Sequence, residues 1–246
     1  MPYPYPILFK IGPLNVYTFG FFMLIASLIA LWLALRRRGK VAEEHIYNLA
    51  IISLVAGVIG ARISFFVLAP QYLHSFFDFI AIWQGGMGFF GGFVLALILD
   101  YIYIKMKHLN FWQIADIFAP SIALAIAITR IGGFIAGVNP GLPTNLPWAI
   151  LYNGLPTHPA ALYHAFANFT IFLILIFSKK KLKERFLPGY LFLFFVLLYG
   201  VERFALDFFR AYDALITILA ARTVWPLLVV VSAYLLWLRK RKKKFI

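Results

Sequence analysis

Three arginines in this chain lie where a charge is unfavourable. Arg62, Arg130 and Arg203 each interrupt a long apolar stretch. An arginine at the centre of a membrane-spanning helix costs roughly 2.5–3.5 kcal/mol by insertion scales. Its guanidinium offers a planar fork of five donors that suits phosphate. If these arginines converge, with Arg210 near them, we expect an anion site for a phospholipid headgroup.

A structural interpretation of the same arginines stays open. Glu202, Asp207 and Asp213 lie close to Arg203 in the sequence, and Asp207 follows it by four residues. That spacing places the two side chains on one face of a helix, where they can pair. Each arginine could therefore be neutralised by its own carboxylate, or extend toward the membrane surface, without binding a ligand.

The composition indicates the elements that must position these residues. Of 246 residues, 63% are hydrophobic and 13% are charged, and there is no cysteine. These values exclude a soluble domain, a disulfide scaffold, an iron–sulfur site and a thiol nucleophile supplied by the chain. The N-terminus lacks a basic segment leading into an apolar run, so we expect no cleavable signal. We predict an all-α polytopic membrane protein forming one integral membrane domain over residues 1–246. Its roughly seven helices should follow the apolar runs at about 16–35, 46–69, 88–104, 113–135, 161–178, 188–206 and 221–238.

The basic residues predict the orientation of the helices. Seventeen of the 23 Lys and Arg residues form four clusters, which follow the first, third, fifth and seventh apolar runs. Cytoplasmic loops are enriched in Lys and Arg, so the N-terminus is predicted outside and the C-terminus inside. Anchoring to anionic headgroups, at about 1 kcal/mol for each basic residue, explains the basic tail without a nucleic-acid partner. The clusters lie at residues 36–40, 105–107, 179–185 and 239–244.

Glycines and a histidine are the other candidate site residues. Gly85 and Gly86 precede the third apolar run, and Gly132 and Gly133 follow Arg130. Glycine permits close approach of a backbone to another helix or to a ligand, so both roles stay open. The proline-rich segment 138–160 is predicted to be an ordered, non-helical external cap. It ends in His158, which is either a structural hydrogen-bonding residue or part of the site.

Several separated motifs resemble the prolipoprotein diacylglyceryl transferase family over nearly the whole chain. The family pattern A-D-x-x-A-P followed by G-R-[IL]-G-N-F is similar to Ala115-Asp116, Ala119-Pro120 and Arg130-Ile131-Gly132-Gly133-Phe134. The pattern H-P-[ST]-Q-L-Y is similar to His158-Pro159-Ala160-Ala161-Leu162-Tyr163. The pattern Y-G-x-x-R-x-x-x-E-F-F-R is similar to Tyr199-Gly200, Arg203 and Asp207-Phe208-Phe209-Arg210. Further matches are Ile11-Gly12-Pro13-Leu14, Gly60-Ala61-Arg62 and residues 83–92.

The chain departs from the family at several polar positions. The arginines, His158 and most scaffold residues match, whereas most of the neutral and acidic polar residues do not. The family histidine of F-H-G-G falls on Phe90, which cannot act as a base. The other departures are Phe19, Gly133, Ala136, Val138, Ala161 and His164.

The resemblance implies a reaction and a set of roles. The family transfers a diacylglyceryl group from phosphatidylglycerol to the thiol of a lipoprotein precursor, and glycerol phosphate leaves. We expect Arg130 and Arg203 to stabilise the phosphate and His158 to act as base, with His164 the next candidate. Asp207 is expected to orient Arg203. Expected substrate-binding residues are Arg62, Gly85, Gly86, Gly132, Gly133, Tyr163, Asp207 and Arg210.

The same resemblance sets the expected partners and location. These are phosphatidylglycerol or a similar anionic phospholipid and a prolipoprotein signal peptide, with no cofactor and no metal. The protein is expected to be a monomer in the cytoplasmic (inner) membrane. A non-catalytic relative that binds lipid or a signal-peptide-bearing partner is the alternative hypothesis. A transporter is disfavoured because the sequence has no inverted repeat or midplane acidic relay.

Overall fold

The computed structural model describes residues 4–12, 14–72, 75–81, 86, 88–138, 140–185, 187–211 and 215–242. It separates into two compact units, and each is described below by itself. The larger unit comprises Met1–Ala34 with Ala115–Ile246, and the smaller comprises Leu35–Ile114. The assignment of residues 1–246 to one integral membrane domain stays a prediction.

Helices account for most of the described residues. They are α1 (Thr18–Arg37), α2 (Glu43–Leu68), α3 (Phe76–Ile80), α4 (Phe89–Met106), α5 (Phe111–Ile135), α6 (Ala160–Arg185), α7 (Tyr190–Leu206) and α8 (Leu215–Lys242). Two short antiparallel hairpins accompany them: β1 (Ile7–Ile11) with β2 (Leu14–Tyr17), and β3 (Ile150–Tyr152) with β4 (Leu155–Thr157). Short 3-10 turns lie at Pro70–Tyr72 and Asp207–Phe209.

The structure confirms the prediction of an all-α polytopic membrane protein. Among the described residues, five helices are long and apolar enough to cross a bilayer, which requires about 20 residues. Many of their large apolar side chains are exposed, such as Leu54, Phe166 and Leu227, each more than 60% exposed. Acyl chains solvate such surfaces without the penalty that water would impose. The five segments are Thr18–Arg37, Glu43–Leu68, Phe111–Ile135, Ala160–Ser178 and Arg222–Arg239.

Close contact between α2 and α4 organises the smaller unit. A Cβ placed on Gly60 would clash with the carbonyl oxygen of Gly91, and one on Gly91 would clash with Ser64. Small residues let helix backbones approach in this way in the absence of a hydrophobic driving force. The Ser53 hydroxyl donates a hydrogen bond of 2.5 Å to Asp100 Oδ2 within the same helix pair. Asp100 therefore helps to join α2 and α4.

Replacing Gly60 with alanine should separate these helices. We expect Gly60→Ala to destabilise the protein by about 1–3 kcal/mol, because overpacking displaces the facing backbone. Gly57→Ala is the matched control on α2, since a Cβ there meets nothing within 4 Å. Thermal unfolding in detergent measures both variants. Equal midpoints for the two would contradict the close contact.

In the larger unit, α5, α6 and α7 share a core. Buried side chains from all three helices meet there, and Ala119 on α5 and Leu175 on α6 are fully buried. The Asp116 carboxylate on α5 accepts hydrogen bonds from the backbone N–H groups of Gly189 (2.7 Å) and Phe192 (2.8 Å). It thereby satisfies donors at the start of α7 that have no partner within the helix. Asp116 therefore joins α5 to the start of α7.

The described residues of segment 138–160 are non-helical up to Pro159, as predicted, and α6 begins at Ala160. It contains the β3–β4 hairpin, and Pro143 forms an isolated bridge with Thr157. Gly141 forms a second bridge with Arg210, beyond the end of α7. A side chain on Gly141 would clash with the backbone of His158. The backbone of this segment is therefore paired with the region that follows α7.

Candidate functional site

Arg203 on α7 is held in place from three directions. Its side chain is buried, and Nη2 lies 3.2 Å from Asp207 Oδ1, so the pairing predicted from their spacing is confirmed. Its Nη1 lies 3.4 Å from His164 Nε2. The guanidinium carbon lies 4.9 Å from the centre of the Trp225 ring, whose Nε1–H donates to Asp207 Oδ2 at 2.9 Å. Ion pair, imidazole and indole together fix the plane of the guanidinium.

Arg130 on α5 shares this neighbourhood. Its guanidinium lies beside the Tyr199 hydroxyl on α7. Arg203, Arg210 and Glu202 all lie within electrostatic range of Arg130. The structure thus brings together three of the arginines that the sequence singled out, from two helices and the segment after α7.

The three arginines bring guanidiniums into a partly buried site. We define the arginine cluster as Arg130, Arg203 and Arg210, and the carboxylates of Glu202 and Asp207 lie close to its guanidiniums. Because the low dielectric of a buried site strengthens electrostatic attraction, guanidiniums gathered there are suited to an anionic ligand.

A buried polar network adjoins Arg203. His164 Nδ1 lies 2.5 Å from Glu202 Oε1, and the Asn168 amide donates to the same oxygen at 3.2 Å. Asn168 also donates to the His164 carbonyl at 2.8 Å. All three side chains are buried. Sequence reasoning did not foresee this network, although ionisable residues within apolar runs were the available signal.

His158 lies in a separate aromatic group. Its Nδ1 is 3.4 Å from the Tyr163 hydroxyl, which accepts a hydrogen bond of 2.7 Å from Trp148 Nε1. Its ring packs edge-on against Phe209 at 5.1 Å between centroids. Among the described hydrogen bonds and ring contacts, His158 meets these residues and not a guanidinium. Its connection to the arginine cluster is indirect, through Phe209 and the backbone bridge at Arg210. Whether His158 and Tyr163 act in the reaction stays a prediction.

In the smaller unit, Arg62 has its donors directed at backbone carbonyls. Nε donates to Phe79 (3.0 Å), Nη1 to Gly86 (2.9 Å) and Nη2 to Ala81 (3.1 Å) and to Asp78. The side chain is only 3% exposed. Arg62 therefore joins α2 to α3 and to the backbone of Ala81 and Gly86, and its direct binding of substrate stays a prediction.

Arg62→Lys should destabilise the smaller unit although the charge is kept. Lysine lacks the planar fork, and each buried carbonyl left without a donor costs about 1–3 kcal/mol. We expect a lower unfolding midpoint and faster proteolysis between α3 and α4. Arg38→Lys is the control, because the Arg38–Glu43 pair is partly exposed and contributes about 1 kcal/mol or less. Similar midpoints for the two variants would show that the carbonyl contacts of Arg62 contribute little.

The predicted glycines divide by their surroundings. Gly86 has φ +71° and its carbonyl oxygen accepts a hydrogen bond from Arg62 Nη1, whereas the space beside Gly132 is filled by Phe22 of α1. Gly133 has room, since a Cβ there would lie 3.7 Å from the Phe19 ring. These contacts account for Gly86 and Gly132 as packing positions, and a substrate-binding role for the three glycines stays a prediction. Gly85 and Asp213 lie outside the described residues.

Known proteins resemble this chain over most of its length. The family model described as "Prolipoprotein diacylglyceryl transferase" matches residues 6–239. A protein of Finegoldia magna is 29% identical over 240 residues, covering 96% of each chain. Proteins of Methylococcus capsulatus and Aromatoleum aromaticum are 32% and 34% identical over 228 and 223 residues, covering 87% and 85% of this chain and 85% and 83% of their own. All three are named phosphatidylglycerol–prolipoprotein diacylglyceryl transferase.

Proposed function

The chain belongs to the prolipoprotein diacylglyceryl transferase family, and from this premise we propose that it transfers a diacylglyceryl group from phosphatidylglycerol to a prolipoprotein cysteine. The observation that carries the proposal is the arginine cluster, which joins α5 to α7. Arg203 Nε is buried and has no acceptor among the described residues, so a phosphate oxygen can serve as its partner. Neighbouring guanidiniums with an available buried donor are suited to a phosphodiester.

The reaction requires a bond between sulfur and the terminal glycerol carbon of the diacylglyceryl group. The thiolate attacks this carbon, the carbon–oxygen bond to phosphate breaks, and glycerol phosphate leaves with the electron pair. Negative charge grows on the leaving phosphate, and preplaced guanidiniums lower the barrier by stabilising that charge. Arg130 and Arg203 fill this role, and Asp207 holds Arg203 in position.

The proton of the thiol needs an acceptor. An unperturbed cysteine has a pKa of about 8.5, so most of it is neutral at pH 7. Phe90 occupies the position of the family histidine and has no basic group. His158 accepts the proton in this proposal, with Tyr163 beside its Nδ1 to orient the ring. Arg210, joined by its backbone to the segment that carries His158, supports phosphate binding.

The proposal includes a membrane topology with seven crossings. In addition to the five long apolar segments, α4 and α7 span 18 and 17 residues and are rich in apolar side chains. The basic clusters at alternate boundaries then lie in the cytoplasm, with the N-terminus outside and the C-terminus inside. The arginine cluster and His158 are placed by this topology near the outer leaflet of the cytoplasmic membrane. The protein acts there as a monomer.

A second candidate is a non-catalytic relative that binds anionic phospholipid or a signal-peptide-bearing partner. The substitutions favour it, because Phe90, Val138 and Ala161 replace polar family residues whereas the arginines are kept. Such a protein would retain the headgroup site and lack turnover.

Complementation separates the two candidates. A bacterial strain depleted of its own transferase is expected to grow when it expresses this chain, and its prolipoproteins should mature. Purified protein should bind vesicles containing phosphatidylglycerol more tightly than vesicles of phosphatidylcholine alone. Binding without complementation, in cells where the chain reaches the membrane, would favour the non-catalytic relative.

A further inference from the structure

The tautomer of His164 follows from its two neighbours. A guanidinium has donors only, so the nitrogen that faces Arg203 Nη1 at 3.4 Å, Nε2, must be the acceptor. The proton of the neutral ring is then on Nδ1, where it donates to Glu202 Oε1 at 2.5 Å. Asn168 donates to the same carboxylate oxygen and so restrains its orientation.

We propose that Glu202 and His164 are positioning residues for Arg203: Glu202 fixes the ring and tautomer of His164, and His164 Nε2 holds the Arg203 guanidinium. This inference rests on the proposed function, since it assigns Arg203 to the leaving phosphate. It adds a second support opposite Asp207, which binds the other terminal nitrogen of the same guanidinium.

Burial protects the hydrogen bonds among His164, Glu202 and Arg203 from competition with water. The exposed fraction is 1% for His164 and 7% for Glu202, so water does not replace their hydrogen bonds. If an apolar residue replaced Glu202, the neutral His164 ring could carry its proton on Nε2. The ring would then present an N–H donor to the donors of Arg203. Two opposed donors would displace the guanidinium, and a misplacement of about 1 Å can cost roughly 10²-fold in rate.

Two substitutions at one position separate positioning from mere packing. His164→Asn places an amide near the Nδ1 position, so it can still donate to Glu202 but no longer reaches Arg203. His164→Gln places its amide oxygen near the Nε2 position, so it can still accept from Arg203. We expect kcat to fall roughly 10–100-fold in His164→Asn and by less than about 5-fold in His164→Gln. In both variants KM for the lipobox peptide should stay near the wild-type value.

The coupling to Arg203 is tested by a double-mutant cycle. Side chains that act through one another give non-additive effects. His164→Asn should therefore lower kcat much less in an Arg203→Lys background than in the wild type. His45→Asn serves as the control, because His45 is also hydrogen-bonded within the protein, to the Tyr103 hydroxyl at 2.9 Å, but has no assigned role in the reaction. Its kcat should stay within about twofold.

The assay uses the full chain in vesicles of phosphatidylglycerol with a lipobox peptide, and unfolding midpoints confirm that each variant is folded. The inference is overturned if His164→Asn keeps the wild-type kcat or if His164→Gln and His164→Asn lower kcat equally. It is also overturned if the effects of substitutions at His164 and Arg203 on kcat are additive. An inactive wild-type protein would instead contradict the proposed function. In that case the affinity for phosphatidylglycerol vesicles is measured in place of kcat. We expect this affinity to fall more in His164→Asn than in His164→Gln.

Discussion

Arg203→Ala is expected to lower kcat for diacylglyceryl transfer by roughly 10²–10³-fold, and Arg130→Ala by a similar factor. This is the loss seen when one preplaced donor to a developing anion is removed. Each guanidinium contributes more to the transition state than to the bound lipid, since charge accumulates on the phosphate only as the carbon–oxygen bond breaks. KM for phosphatidylglycerol should therefore rise much less than kcat falls. Initial rates with purified variants in phosphatidylglycerol vesicles provide the measurement.

Two further variants sharpen this test. Arg203→Lys keeps a positive charge but lacks the fork that contacts Asp207, His164 and phosphate together, so it should restore little of the rate. Arg222→Ala is the matched control, because Arg222 is exposed and its guanidinium packs over Phe208 at 5.3 Å. Its kcat should stay within about twofold of the wild type. Full activity in Arg130→Ala or Arg203→Ala would remove the arginine cluster from the mechanism.

His158→Ala should have the second large effect, and one that depends on pH. Loss of a general base lowers a rate by about 10²–10⁴-fold at pH 7, where the substrate thiol is mostly protonated. As the pH rises through the thiol pKa of about 8.5, thiolate forms without assistance. The difference between variant and wild type should therefore narrow toward pH 9. Rates measured from pH 6.5 to 9 with the same peptide give the comparison.

A histidine outside the site controls for this effect. His108 is exposed and has φ +50°, so asparagine is the replacement that tolerates its backbone conformation. His108→Asn should match the wild type at every pH. A loss in His158→Ala that is equally large at pH 7 and pH 9 would show that His158 supports the structure of the segment 138–160 and is not the base.

The sequence was sufficient to predict the long helices and one ion pair. The seven apolar runs lie close to the observed bounds of seven helices, and five of these described helices have the length and apolarity that bilayer thickness requires of a span. The pairing of Arg203 with Asp207 follows from helical spacing alone. The ends of the helices were less predictable. Helix α6 continues to Arg185, through a basic cluster that was expected to follow the helix. The hairpin β1–β2 and the short α3 were missed because such short elements have weak patterns.

The long-range partners could not be read from the sequence. His164 and Glu202 are 38 residues apart on different helices, so their contact depends on how α6 packs against α7. Arg62 illustrates the converse difficulty. Phosphate oxygens and backbone carbonyls are both acceptors, and an arginine in an apolar run is compatible with either. Only the structure shows that the Arg62 donors meet the carbonyls between α3 and α4.

The most direct test of the central claim is mass spectrometry of a lipobox peptide after incubation with the purified chain in phosphatidylglycerol vesicles. We predict that the cysteine gains one diacylglyceryl group and that an equal amount of glycerol phosphate is released. Both products should form roughly 10²–10³-fold more slowly in the Arg130→Ala and Arg203→Ala variants. An unmodified peptide in the presence of folded, lipid-binding wild-type protein would contradict the assignment of the arginine cluster to catalysis.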